Sequence, residues 1–142
     1  DVLTINDAEA RQLSGEYSLV KAARKIMDMD PKYVVIKKGE HGALLFDREQ
    51  MFFAPALPLE EVLDPTGAGD TFAGGFIGFI AHTKNISFDN MKRAIIIGSS
   101  LASFTVEKFG TERLLTLTND EIDNRIQQFV NLVDFNIEFV EG

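Results

Sequence analysis

The chain has 142 residues, of which 45% are hydrophobic, and a formal net charge of −8 at pH 7. Its length and apolar content predict one compact unit over residues 1–142, and its acidic charge disfavours nucleic acid and anionic membranes as partners because both would repel it. The absence of cysteine excludes disulfides and cysteine-ligated metals. No apolar run is long enough to cross a bilayer, so we predict a cytoplasmic protein.

In the first half of the chain, segments with the apolar pattern typical of a strand alternate with segments that have the apolar pattern typical of a helix. In the second predicted helix, Val20, Ala23 and Ile26 are expected to face the core. The first strand is expected to be buried and parallel to the second, because a helical crossover separates them, and the last two strands are expected to form a hairpin at the sheet edge. The predicted strands cover residues 2–5, 33–36, 43–46 and 51–54, and the predicted helices cover residues 8–13 and 18–29.

The second half of the chain predicts only helices. The first of them begins near Asp70 and is apolar nearly all round, so it is expected to be buried in the core, with Gly74, Gly75 and Gly78 allowing close approach of neighbours. The two helices that follow are predicted over residues 87–106 and from the capping box Thr118-Asn119-Asp120-Glu121 onward. The last of them carries Ile122, Ile126, Phe129, Val130 and Val133.

The segment Asp64-Pro65-Thr66-Gly67-Ala68-Gly69-Asp70-Thr71-Phe72 joins a glycine turn to the start of the apolar helix. Gly67 and Gly69 are expected to adopt positive φ, and the first helical turn leaves its N–H groups without intrahelical partners. Such a turn is electropositive and suits a phosphate group. Asp70 stands at the rim, where its charge would weaken phosphate binding, and this favours a role in proton abstraction. The alternative is an Asp that only caps its helix.

Two other glycine motifs are excluded by the residues of this segment. A Walker A loop needs Lys and then Ser or Thr after its last glycine, whereas Gly74 is followed by Gly75 and Phe76. The dinucleotide-binding fingerprint needs a glycine where Phe72 stands. The turn is therefore a different kind of phosphate site.

The same segment, continued by Gly74-Gly75-Phe76, resembles the C-terminal signature of the PfkB, or ribokinase-like, family of carbohydrate and nucleoside kinases. The resemblance implies a three-layer ribokinase-like α/β fold and ATP-dependent phosphoryl transfer to a hydroxyl of a sugar or nucleoside. It also implies that Asp70 is the base that deprotonates the acceptor hydroxyl, and that Gly67, Ala68 and Gly69 form an anion hole over the transferring phosphoryl group. A ribokinase-like kinase for a vitamin precursor and a noncatalytic nucleotide-binding module are the alternatives.

Further matches to the family place other residues around ATP and Mg²⁺. Asn6-Asp7-Ala8-Glu9 is similar to the family's Asn-x-x-Glu motif, which implies that Asn6 and Glu9 lie in the outer shell of Mg²⁺, with Glu9 acting through water. The small residues after position 97, together with residues 108–111, resemble the helix and loop that flank the adenine, although tight helix packing is an alternative role for them. The implied cofactor-binding residues are Asn6, Glu9, Lys37, Gly39, Gly42, Thr66, Gly98, Ser99, Ala102 and Ser103.

Members of this family are considerably longer, and this chain starts at Asp1, inside a predicted strand. No segment matches the family's N-terminal half, which supplies the acceptor pocket and a lid. The sequence is therefore interpreted as the C-terminal part of a kinase, inactive toward acceptors on its own. An unpaired first strand would leave an open sheet edge, through which copies of the chain could associate. These residues do not determine the acceptor.

Overall fold

A computed structural model of the protein describes residues 2–57, 67–105, 107 and 116–134. These residues form a four-stranded sheet with helices on both faces, which confirms the predicted α/β class. In chain order the elements are β1 (Val2–Asn6), α1 (Asp7–Ser14), α2 (Leu19–Met27), β2 (Tyr33–Lys37), β3 (Ala43–Phe46), β4 (Met51–Ala54), α3 (Ala68–Thr83), α4 (Phe88–Thr105) and α5 (Asn119–Val133).

The strand order is β1-β2-β3-β4, with β1 and β2 parallel as the helical crossover predicts and the other neighbours antiparallel. The register pairs Asn6 with Lys37, so the last residues of the two parallel strands lie side by side. β3 and β4 form the predicted hairpin, and the Asp47 carboxylate accepts hydrogen bonds from the N–H groups of Glu49 and Gln50 in its turn. β1 is half-buried and not buried as predicted, because its outer side pairs with no strand in the described part of the chain.

Two hydrophobic clusters cover the two faces of the sheet. Val34 and Ile36 of β2 pack with α1 and α2, whereas Val35 packs with α3 and α4. Successive side chains of a strand point to opposite faces. A strand covered on both faces must therefore be apolar at consecutive positions, as this strand is.

α3 buries a narrower face than its composition predicts. Phe72 and Phe76 are buried, but Ile77 is 64% exposed, because α4 and the sheet cover one side of the helix and no other described element covers the opposite side. The prediction that α3 is buried all round is therefore wrong in the described structure. Of the helices in the described ranges, none combines the length and the hydropathy that a membrane crossing requires.

Val20, which is expected to face the core, lies at the surface of α2. It is 36% exposed, whereas Ala23 and Ile26 of the same helix are buried as predicted. In α5, Phe129 is buried, and Val130 and Val133 are 42% and 54% exposed. The prediction for the core side of α2 is therefore wrong for Val20 alone.

α3 and α4 form an antiparallel pair whose backbones touch at two glycines. A Cβ atom on Gly98 would lie 2.7 Å from the carbonyl oxygen of Phe72, and one on Gly75 would lie 3.0 Å from the Cα of Gly98. Gly75 thus allows close approach as predicted, whereas a Cβ on Gly74 or Gly78 would meet no atom of the described residues within 4 Å. Within the described structure, the predicted packing role of these last two glycines is therefore wrong. The contact places the C-terminal half of α4 beside the N-terminal half of α3.

We expect Gly98→Ala to lower the free energy of unfolding by about 1–3 kcal/mol, because the added methyl group overpacks the contact between the two helix backbones. Gly78→Ala is the matched control, since it adds the same methyl group to an open position and should raise the free energy of unfolding by up to about 1 kcal/mol through helix propensity. Urea unfolding of the two variants measures both effects. Equal stability of the two variants would contradict the packing role of Gly98.

Candidate functional site

The first turn of α3 presents unpaired N–H groups. Gly67 is the N-cap residue, and it has no side chain that could bond to them. The first hydrogen bond of the helix runs from the N–H of Thr71 to the Gly67 carbonyl oxygen at 2.9 Å. The N–H groups of Ala68, Gly69 and Asp70 therefore donate to no acceptor within the described ranges. A helix terminus in this state is suited to bind an anion.

Of the two glycines in the turn, only Gly67 has a positive φ, of 84°. Gly69 lies in the helical turn, so the prediction of positive φ is wrong for this residue. Gly69 lies beside Lys37, since a Cβ atom on Gly69 would lie at an ordinary contact distance of 3.4 Å from the Nζ atom of Lys37. The missing side chain keeps the space between the N–H groups and this ammonium open. Thr66 and residues 108–111, which were also assigned to the nucleotide site, lie outside the described residues.

Lys37 brings a positive charge to the same turn from the end of β2. Besides its proximity to Gly69, its Nζ atom lies 5.9 Å from the centroid of the Phe72 ring. No carboxylate of the described residues lies within ion-pairing distance of this ammonium. Its charge is therefore available to an anion bound at the start of α3.

Asp70 is the third residue of α3, and its side chain is exposed. The N-cap position belongs to Gly67, so Asp70 is not the N-cap residue of this helix. The role of Asp70 as a base stays a prediction. The carboxylate is accessible to a molecule that approaches the turn from solvent. An accessible carboxylate beside an anion site can accept a proton from that molecule.

The Asn-x-x-Glu motif forms the capping box of α1. Asn6 Oδ1 accepts a hydrogen bond from the N–H of Glu9 at 2.7 Å, and Glu9 Oε1 accepts one from the N–H of Asn6 at 3.0 Å. Because Asn6 pairs with Lys37 across the two parallel strands, the motif lies at the same end of the sheet as the anion site. The described residues contain no group of three or more acidic, histidine or cysteine side chains that could hold a metal ion directly. The outer-shell role of Asn6 and Glu9 stays a prediction.

Gly39 and Gly42 are required by the turn that follows β2. Their φ angles are 57° and 96°, and the turn closes with a hydrogen bond from the Lys38 N–H to the Gly42 carbonyl oxygen at 2.7 Å. A Cβ atom on Gly42 would overlap the carbonyl oxygen of Ala54. The backbone therefore explains both glycines, and their contact with a nucleotide stays a prediction.

The four small residues assigned to the adenine side lie in the second half of α4. Gly98 and Ser103 are buried, and packing explains both, since Gly98 touches α3 and Ser103 Oγ accepts a hydrogen bond from Arg125 at 2.8 Å. Ser99 and Ala102 are half-buried. No role for Arg125 follows from the sequence alone. Its position among the apolar residues of α5 is nevertheless a signal, because a charged side chain placed there needs a partner.

Comparison with known proteins identifies the family. The family described as pfkB family carbohydrate kinase matches residues 1–117. The chain is 43% identical over 112 residues to the cytidine kinase of Thermococcus kodakarensis, an alignment that covers 78% of this chain and 38% of that protein. The chain therefore belongs to the pfkB family of carbohydrate kinases.

Solved structures confirm the predicted ribokinase-like fold. Aminoimidazole riboside kinase from Salmonella enterica, complexed with aminoimidazole riboside and an ATP analog, matches with a TM-score of 0.73 and 26% identity over 88% of this chain and 41% of that chain. A structure from E. coli, described as a ribokinase II in complex with ATP and Mg²⁺, matches with a TM-score of 0.72 and 26% identity over 90% of this chain and 39% of that chain. The chain thus spans between 38% and 41% of the length of these relatives.

The two glycines of the turn should respond differently to substitution by alanine. Gly67→Ala forces a side chain into the left-handed region and should lower the free energy of unfolding by about 1–2 kcal/mol. Gly69→Ala occupies a helical position and should leave stability unchanged or raise it by up to about 1 kcal/mol. Chemical denaturation without ligand compares the two variants, and an equal loss in both would contradict the backbone described for Gly69.

Proposed function

We propose that the protein catalyses phosphoryl transfer from ATP to a hydroxyl group of a sugar or nucleoside, and that the described residues form the nucleotide side of its active site. The observation that carries the proposal is the convergence of three kinds of group at the start of α3. These are the unpaired N–H groups of the first turn, the ammonium of Lys37 and the exposed carboxylate of Asp70. Phosphoryl transfer to a hydroxyl needs stabilised negative charge and a group that orients the nucleophile and accepts its proton, and these groups supply both.

The N–H groups of Ala68, Gly69 and Asp70 stabilise the negative charge of the γ-phosphoryl group during transfer. They are held by the helix, so they need little rearrangement as charge develops. Lys37 adds a full positive charge from the sheet side of the same turn. A side chain at position 69 would fill the space between these two sources of positive charge.

Asp70 accepts the proton of the acceptor hydroxyl. As the proton leaves, the hydroxyl oxygen forms a bond to the γ-phosphorus, and the bond from that phosphorus to the oxygen of the leaving ADP breaks. A carboxylate at this position opposes the binding of a phosphate by its charge, so a module that only captures nucleotides would gain by losing it. The presence of Asp70 at the rim therefore supports a kinase over the noncatalytic alternative.

The residues at the end of β1 fit a role beside Mg²⁺. Magnesium binds oxygen ligands and keeps several of its waters, so a carboxylate can act on it through water without direct coordination. Glu9 uses one oxygen in the capping box, and its second oxygen accepts no hydrogen bond from the described residues. Glu9 and Asn6 would hold the ion in this indirect way, and bound Mg²⁺ would neutralise charge on the phosphates of ATP.

The nucleoside part of ATP lies toward the C-terminal half of α4. This half of the helix is beside the start of α3, and Ser99 and Ala102 are its half-buried small residues. The glycine turn of Gly39 and Gly42 follows Lys37 directly and lies on the phosphate side. Among the named relatives, one is a cytidine kinase, one is complexed with aminoimidazole riboside and one is described as a ribokinase, so both sugars and nucleosides stay candidate acceptors.

Replacing Lys37 with Met should weaken the binding of ATP with Mg²⁺ about 10–100-fold, because a charge-assisted contact to phosphate is worth about 1.5–3 kcal/mol. Lys25→Met is the matched control, since Lys25 is exposed on α2, which packs on the opposite face of the sheet. Isothermal titration calorimetry on the two variants gives both dissociation constants. If the two substitutions weaken ATP binding equally, the loss of affinity comes from the change in net charge alone. That result would contradict the placement of Lys37 in the site.

Replacing Asp70 with Asn keeps the shape of the side chain and removes the base. Turnover should fall about 10²–10⁴-fold, whereas the affinity for ATP should not decrease. The measurement is acceptor-dependent ADP release, with ribose, fructose and cytidine among the acceptors, in a form of the protein that turns over one of them. Asp89→Asn, which changes an exposed aspartate in the first turn of α4, is the control. Undiminished turnover in Asp70→Asn would contradict the role of base.

A further inference from the structure

Arg125 joins α5 to the C-terminal end of α4 through a guanidinium that is largely withdrawn from water. Its side chain is 14% exposed. Nη1 donates a hydrogen bond to Ser103 Oγ and Nη2 donates one to Glu107 Oε1, each at 2.8 Å. The guanidinium carbon also lies 4.0 Å from the centroid of the Phe104 ring. We call these four residues the Arg125 cluster.

Along the axis of the α3–α4 pair, the Arg125 cluster lies at the same height as the anion site in the first turn of α3. Gly98 of α4 touches the carbonyl of Phe72, close to the start of α3. Ser103 lies five residues further along α4, which is about 7.5 Å at the rise of an α-helix. Because the two helices are antiparallel, this displacement runs toward the N-terminus of α3. The end of α4 that Arg125 holds therefore lies beside the turn with the unpaired N–H groups.

Arg125 brings a positive charge from α5 to the C-terminal end of α4. α4 has no basic residue in its last turn. The last carbonyl groups of a helix carry partial negative charge, which a nearby cation stabilises. Arg125 supplies that cation from α5, and it bonds Glu107 just past the helix end at the same time. Fixed hydrogen bonds to two positions and a ring contact to a third leave this end of α4 little freedom to shift.

We propose that Arg125 is a positioning residue for the nucleoside half of ATP. By fixing the end of α4, it fixes the surface against which the base and ribose pack, and it does so without contacting ATP, since its guanidinium is engaged within the cluster. The proposal rests on the proposed function, in which α4 flanks the nucleoside and the first turn of α3 binds the phosphates. It follows that loss of Arg125 should weaken binding of the nucleoside part and leave binding of the phosphates unchanged.

Tripolyphosphate separates the two halves of the nucleotide, because it carries the phosphates of ATP without the base and ribose. We expect Arg125→Met to weaken ATP binding about tenfold, which corresponds to about 1.4 kcal/mol, and to change tripolyphosphate binding less than twofold. Arg125→Lys keeps the charge but loses the fork of donors, so it should show a smaller loss in the same direction. Ser103→Ala removes one hydrogen bond of the cluster. It should also weaken the binding of ATP and leave the binding of tripolyphosphate unchanged. Arg93→Met, at an exposed arginine of α4, should change neither the affinity for ATP nor the affinity for tripolyphosphate.

Calorimetry with ATP and with tripolyphosphate, each with Mg²⁺, is carried out on the 142-residue chain and its variants. Should Arg125→Met fail to fold, Arg125→Lys and Ser103→Ala decide the question. Unchanged ATP affinity in the variants, or equal losses for ATP and tripolyphosphate, would overturn the proposal, because the arginine would then be irrelevant to the site or would only support the fold. A wild-type chain that binds neither ligand would overturn the proposed function itself, which is a separate result.

Discussion

Phe72 ties together the elements on which the site depends. Its side chain is buried with Val35 of β2, its carbonyl touches Gly98 of α4, and its ring lies under the ammonium of Lys37. It stands two residues after Asp70, so the packing of this ring also anchors the start of α3. The anion site is therefore positioned by core packing as well as by the glycine turn before it. Interiors are close-packed and deform little, which gives the N–H groups a fixed direction.

The local structure could be predicted from the sequence because its signals are local. The capping box at Thr118 and Glu121 starts a helix wherever the rest of the helix packs, and the two short apolar runs on either side of Asp47 form a hairpin through their own turn. The meeting of Asn6 and Lys37 follows from the general rule that the ends of parallel strands share one edge of the sheet. These features needed no knowledge of distant contacts.

The details that sequence reasoning missed all depend on which element of the fold packs against which side of a helix. An apolar residue such as Ile77 can face the core or solvent, and composition does not say which side of α3 receives α4. A glycine can be present for its φ or for the space that it leaves, and only the structure shows that Gly69 is helical and lies beside Lys37. The partners of Arg125 come from another helix, so no local pattern could have named them.

The uncapped start of α3 has a consequence for the whole fold. Many helices begin with a side chain that accepts hydrogen bonds from their first N–H groups, and a glycine in its place costs a few tenths of a kcal/mol. Here Gly67 leaves that position vacant, and in the proposed function a phosphate of the nucleotide completes the helix in its place. A ligand that binds only the folded chain raises its stability by mass action, by about 2.7 kcal/mol at a hundredfold excess over its dissociation constant. The thermal midpoint of this protein should thus report the nucleotide concentration around it, and the fold would be held most firmly when its substrate is abundant.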